Sequence, residues 1–183
     1  MKKLFGILVL SFHILSCASH QSITKGGIFA GEKIKFPSRI VVMLMADGTG
    51  QTDGQWAGSG IAMSNGLRDV LIENSFFATV SESNKLEEAK SLASSLKCDY
   101  VIKSTITEWE DNATEWSGKP DSLSLTSELY DLQSSSFTST ASHREQSSGA
   151  ALVPQSTRRF IPIAADRIIK RLFAIPMTKN INN

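Results

Sequence analysis

The period of the hydrophobic positions changes several times along this chain, and each change marks an element. Residues 39–46 (Arg-Ile-Val-Val-Met-Leu-Met-Ala) are apolar at successive positions, which predicts a strand covered on both faces. A glycine-rich stretch follows over residues 47–54. Ser59 is then placed to cap a helix running to about Asn74, with Ile61, Met63, Leu67, Val70 and Leu71 on its apolar stripe. Residues 76–80 predict a short strand. Asn84, with Glu87 three positions later, forms a capping box before a helix striped by Leu86, Ala89, Leu92, Ala93 and Leu96. Residues 100–110, rich in β-branched side chains, predict another strand. Residues 121–132 and 135–145 alternate, with Leu123, Leu125 and Leu129 on one face and Ser and Thr on the other, as antiparallel strands at a sheet edge do. Past Gly149 and Pro154, Ser156 or Thr157 caps a last helix striped by Ile161, Ala164, Ile168 and Leu172, with Pro162 in its first turn. The order β-α-β-α-β-β-β-α predicts one α/β (α+β) sandwich domain over residues 39–175. Its mixed sheet has antiparallel C-terminal strands and helices packed on it, and residues 176–183 form a tail.

The segment before residue 39 has a different character. Lys2 and Lys3 precede an apolar stretch, residues 4–15, that is too short to span a bilayer and suits a secretory signal. It ends in Ile14-Leu15-Ser16-Cys17, which resembles a bacterial lipobox: aliphatic at −3, small at −1, then the cysteine that receives lipid. Residues 1–16 are therefore expected to be a lipoprotein signal peptide. Cys17 is the expected lipid attachment, carrying a diacylglyceryl thioether and an amide-linked acyl chain. Two or three chains at about 0.8 kcal/mol per buried CH₂ hold a protein stably on a membrane. Ala18 after the cysteine, in place of Asp, implies sorting to the outer membrane with the domain facing the periplasm. Residues 17–38 carry Ser, Thr, Gly and Lys with scattered apolar positions, and read as a lipidated N-terminus and flexible tether.

Composition narrows the function classes. The chain has 183 residues, 41% hydrophobic and 20% charged, and a formal charge of +1. That is ordinary globular composition, and it lacks the basic field needed to bind nucleic acid. Cys98, the remaining cysteine, is expected to be a buried small hydrophobe at a helix–strand junction. No metal ligand cluster is visible, because Cys98 with His143 is not one and Asp47 and Asp53 lack the spacing of a calcium loop.

Three segments carry a resemblance. Ala46-Asp47-Gly48, Gly58-Ser59-Gly60, and the run from Trp109-Glu110-Asp111-Asn112 through Thr114-Glu115-Trp116-Ser117-Gly118 resemble a bacterial lipoprotein family catalogued as domain of unknown function 4823. The resemblance spans residues 40–173, and Asn112 stands where the family pattern has Arg. At fold level that family is similar to envelope lipoprotein domains such as the curli-secretion channel subunit and the TolB amino-terminal domain. Those domains work through protein–protein assembly; for this chain the resemblance implies the α/β fold, and a likeness of fold does not by itself transfer function.

Catalysis is not expected. The glycine-rich loop sits between a strand and a helix, where phosphates bind, but it lacks the Gly-Lys-Ser/Thr ending of a P-loop and the third glycine of a dinucleotide fingerprint. It reads as a turn, and no cofactor is implied. Of the histidines past residue 16, His20 lies in the tether and His143 on an expected edge strand, with no nucleophile-elbow pattern around a serine. The connection over residues 108–121 stands out. It holds Glu108, Glu110, Asp111 and Glu115 with Trp109 and Trp116, a composition suited either to recognition or to plugging the end of a core. The candidate interaction residues are thus Trp109, Glu110, Asp111, Trp116, Asp47 and Gly48. The expected function is that of a lipid-anchored, non-catalytic scaffold or accessory subunit with an envelope protein partner. The alternative is a lipoprotein that binds a glycan or small molecule.

Overall fold

A strand apolar on both faces must be covered on both, and the fold is arranged around that need. The computed structural model describes residues 20–49, 56–112, 120–147 and 156–176. Its strands are β1 (Gln21–Ile28), β2 (Arg39–Val42), β3 (Phe77–Val80), β4 (Tyr100–Glu110), β5 (Ser122–Asp131) and β6 (Ser136–Gln146). Its helices are α1 (Ser59–Glu73), α2 (Leu86–Ser95) and α3 (Ile161–Leu172), the last preceded by a 3-10 turn over Thr157–Phe160. The strands form one mixed sheet in the order β1-β6-β5-β4-β2-β3. Among the described residues the parallel pairings are those of β2, with β3 on one side and β4 on the other.

The placement of the helices follows from this order. The chain steps from β2 to β3 through α1, then back across β2 to β4 through α2. The direction along the sheet reverses between the two crossovers, so a constant right-handed crossover sends the helices to opposite faces. Ile40 and Val42 accordingly pack with Met63, Leu67 and Leu71 of α1 and with Ile168, Ile169 and Leu172 of α3. Val41 packs on the other face with Ala89 and Ala93 of α2, together with Met43, Cys98, Val101 and Tyr130. Beyond α2 that second face is open to water and carries ion pairs between strands, Lys103–Glu128 at 3.0 Å and Arg144–Glu108 at 3.1 Å.

The structure departs from the sequence reading in several places. Residues 18–38, expected as a flexible tether, contribute β1, which pairs antiparallel with β6 from Gln21↔Gln146 to Ile28↔Ser139. The ladder is made by the backbone, and side chains such as Ser22, Thr24 and Gly26 leave little hydrophobic signal. At Gly26 (φ +107°) a Cβ would lie 2.2 Å from the Thr140 carbonyl oxygen, so the closeness of β1 to β6 depends on glycine there. His143 is therefore not on an edge strand, since β1 covers β6.

Helix α2 starts at Leu86 with Lys85 at its cap and no side-chain cap bond, not at an Asn84 capping box. The Ser83 hydroxyl instead accepts the Lys85 amide at 3.1 Å. Ile61, expected on the stripe of α1, is 55% exposed. The buried face of α1 begins instead with the small residues Gly60 and Ser64, because this end of the helix lies against the backbone of β2's extension. The Ser64 hydroxyl accepts the Met45 amide at 3.0 Å and donates to the Gly60 carbonyl at 2.9 Å. Cys98 is free and buried, and burial pushes its thiol up despite the nearby Arg39 guanidinium.

Candidate interaction surface

One end of the sheet gathers most of the residues singled out in the sequence. β4 ends there at Glu110, opposite the start of β5 at Ser122, and Ser122 faces Gln146 at the end of β6. Because β2 runs parallel to β4, the Asp47-Gly48 turn leaves the sheet at the same end, and α1 begins there.

Asp47 and Gly48 join strand to helix. The Asp47 carboxylate accepts the Gly60 amide at 2.8 Å through Oδ1 and the Gly58 amide at 3.0 Å through Oδ2. Ser59 does not cap α1 as expected. It is the first helical residue, and its hydroxyl turns back to accept the Gly48 amide at 2.8 Å. The cap position is Gly58, at φ 78°, and Asp47 supplies the anion that satisfies the first amides and the positive end of the helix. A Cβ on Gly60 would lie 2.2 Å from the Met45 carbonyl oxygen, so helix and strand approach as closely as backbones can. Ala46-Asp47-Gly48 and Gly58-Ser59-Gly60 are thus two halves of one staple. The amides of Gly48, Trp56, Gly58, Ser59 and Gly60, in the loop where a phosphate would sit, are used internally. Residues 50–55 lie outside the described residues.

The aromatic connection divides in the same way. Trp109 is 2% exposed and packs with Ile106, Leu123 and the rest of the main core, so its indole is core and not contact surface. Trp116 lies outside the described residues. Glu110 offers its carbonyl to the Thr157 hydroxyl, and the Asp111 carboxylate accepts the Ser156 hydroxyl at 3.1 Å, which ties the connection to the start of the 3-10 turn. Asn112 donates its amide to Asp121 Oδ1 at 2.9 Å and its side-chain NH₂ to the Pro120 carbonyl at 2.8 Å. The cation facing Asp121 is supplied by Arg159, at 3.7 Å, and not by position 112. Burial pushes the Asp121 carboxyl up, and the Asp111 charge adds to this. Glu108 belongs to the wet face of the sheet, where it accepts hydroxyls from Ser122 at 2.7 Å and Ser124 at 2.9 Å.

A cluster that the sequence reading missed lies at the same end, under α3. Glu145 and His143 have fully buried side chains, and His143 Nε2 donates to Glu145 Oε1 at 2.7 Å. The Ser22 hydroxyl donates to the same oxygen at 2.7 Å, and the Thr24 hydroxyl meets His143 Nδ1 at 2.7 Å. His20 Nε2 pairs with Glu145 Oε2, and its ring lies 5.7 Å from that of Phe160. Burial raises the Glu145 carboxyl, but the His143 and Ser22 hydrogen bonds and the two imidazoles outweigh it and hold the group below its ordinary value. With both side chains sealed from solvent, the pair cannot meet a substrate. Its partners on β1 show what it does, which is to hold the first strand to the sheet. His143 and Glu145 sit two apart on one strand face, and that spacing was the available signal once β6 was recognised as a strand. Among the described residues, no three His, Cys, Asp or Glu side chains converge on a metal position.

No family model and no curated protein matches the chain, so the resemblance to the domain of unknown function rests on its motif residues. Solved structures do match. The chain is similar to two PelC dodecamers from Paraburkholderia phytofirmans, one of them a point variant, at TM-scores of 0.65 and 0.63. Both are 13% identical, and each match covers 83% of this chain and 98% of PelC. It also matches Lipoprotein GNA1162 from Neisseria meningitidis at 18% identity and a TM-score of 0.41, over 60% of this chain and 84% of that one. The PelC match shows a shared fold across nearly the whole of PelC.

Proposed function

We propose that this protein is a lipid-anchored lipoprotein of the bacterial envelope. Acylated Cys17 holds it at the outer membrane, facing the periplasm, and it serves as a non-catalytic subunit of an assembly through protein–protein contacts. The observation that carries this reading is the shared fold with PelC, solved as a dodecamer, in a chain whose first residues have the order of a lipoprotein signal and lipobox. The internal use of the most reactive-looking groups supports it further. Asp47 is committed to a helix cap, Trp109 to the core, and both described histidines to Glu145. The glycan-binding alternative loses one of its two aromatic platforms, since the Trp109 indole is not accessible.

The test is to extract the full-length protein from membranes in mild detergent, measure its mass by light scattering, and identify what co-purifies. A defined homo-oligomer or a stoichiometric envelope partner is the expected result. A monomer with no partner overturns the subunit reading. Metabolic labelling with a fatty-acid analogue should be lost in Cys17→Ser, and labelling that persists overturns the anchor.

A further inference from the structure

We propose that the open edge of β3 is the surface through which this protein joins a second copy of itself, the two β3 strands pairing antiparallel about a twofold axis beside Thr79. The proposal deepens the subunit reading and rests on it, naming the face that the assembly uses.

The two edges of the sheet, β1 and β3, are built differently. β1 carries the exposed Lys25 and leaves regular strand geometry at Gly26 (φ +107°), and a charge and a twist are what keep edge strands from pairing. β3 has neither. It reads Phe-Ala-Thr-Val, without charge or proline, and Phe77 is 46% exposed. The Phe77 amide donates to the Ser38 carbonyl at 3.2 Å, and the Ser81 amide just past the strand donates to the Val42 carbonyl at 2.9 Å. Alternate residues from Phe77 thus face β2, so the amides and carbonyls of Ala78 and Val80 point outward. The strand is only 4 residues long, and its flanks add to the contact. On one face a cavity of about 360 Å³ lies between the edge and α2, lined in part by Thr79, Val80, Leu92 and Leu96. On the other face Ile72, in the last turn of α1, is 52% exposed.

Charge selects a second copy in antiparallel orientation. Glu82 and Glu88 rim the cavity where β3 ends, and Lys85 offsets Glu88 at 3.0 Å. At the other end stand Arg39, over the Phe77 ring at 4.1 Å, and the exposed Lys97 past α2. Lys35 and Asp99 at that end neutralise each other at 2.7 Å, as Lys90 and Glu87 do on α2 at 3.0 Å. On the α1 face Arg68 and Asp69 pair at 2.7 Å, and Glu73 adds an acid. A twofold axis turns the acidic end of one copy onto the basic end of the other and joins the two cavities, whereas parallel pairing sets like ends together. With the axis beside Thr79, the amide and carbonyl of Ala78 meet those of the partner's Val80. This surface consists of described residues throughout. Gly48, ahead of the undescribed residues 50–55, lies against Ile106 and Trp109 of β4, and the chain past α3 runs beside Gly26 at the opposite edge.

The experiment uses the full-length protein with Cys98→Ala, extracted from membranes in mild detergent. Thr79→Cys is compared with Lys25→Cys on the other edge after mild oxidation with diamide. In the proposed pairing Thr79 faces the partner's Thr79 at a position without backbone hydrogen bonds, where Cα atoms approach to about 4.5 Å, within disulfide reach. The expected result is a disulfide-linked dimer about tenfold more abundant from position 79 than from position 25. Thr79→Lys, which places a charge on the edge, should lower the mass measured by light scattering with the circular dichroism spectrum unchanged. Equal cross-linking from both positions, an oligomer or a partner complex in which position 79 stays reduced, or a Thr79→Lys protein of undiminished mass overturns the β3 interface and leaves the subunit reading standing. A native protein that is monomeric and captures no partner overturns both.

Discussion

Around β2 the sheet is sealed by hydrocarbon on both faces, whereas at β6 and β1 it is sealed on one face by a buried carboxylate with two imidazoles and left wet on the other. In the first region Ile40, Val41 and Val42 alternate between two helical layers, and each buried side chain adds roughly 1.5–3 kcal/mol by leaving water. In the second, the hydrogen-bond ladder between β1 and β6 holds the strand, and Glu145 fixes its position by receiving donors from β1 and from its own strand. The contrast is one of tolerance. A hydrocarbon layer loses stability in proportion to what is deleted, whereas a buried charge loses most when the group removed is sealed from water with it and little when the partner is exposed.

The largest expected effect is in the hydrocarbon region. Trp109→Ala should destabilise the domain by about 3–5 kcal/mol in denaturant melts, because it empties the space between Gly48, Ile106 and Leu123. A cost below about 1 kcal/mol would make the indole peripheral and revive it as a contact residue. Glu145→Ala should cost about 3 kcal/mol by leaving His143 and Ser22 without their acceptor and His20 without the carboxylate it pairs with. Hydrogen exchange should show the loss concentrated in the amides of β1; an even loss over all strands would refute a local role. Asp47→Ala should cost about 1–2 kcal/mol, read from the same melts, by uncapping α1.

A smaller effect separates the two regions by pH. Glu145 is held below its ordinary value of 4.5, so its contribution is fully present above that pH and drains away as pH falls through the lower folded value. The stability of Glu145→Gln should therefore fall less steeply below about pH 4.5 than that of the native protein, whereas Trp109→Ala should run parallel to it. The smallest change is His20→Ala. The His20 ring is 46% exposed, so its pairing is screened and the cost should stay below about 1 kcal/mol.

The sequence by itself determined the elements that repeat a hydrophobic period. β4 runs from Tyr100 to Glu110 as its β-branched run predicts, and α1 ends at Glu73, next to the predicted Asn74. The β-α-β-α-β-β-β-α order is intact within the larger sheet, and the buried state of Cys98 follows from its junction between α2 and β4. These succeed because burial of a helical or strand face is written into side chains three or four, or two, positions apart. Only the tertiary structure decided the rest. It turned Gln21–Ile28 from tether into strand, assigned Asp47 to the Gly58 and Gly60 amides, and brought His20 to Glu145, far away in the chain. A backbone ladder has no side-chain period, and a hydrogen bond between distant residues leaves no local pattern. What those positions do depends on which strand lies beside them.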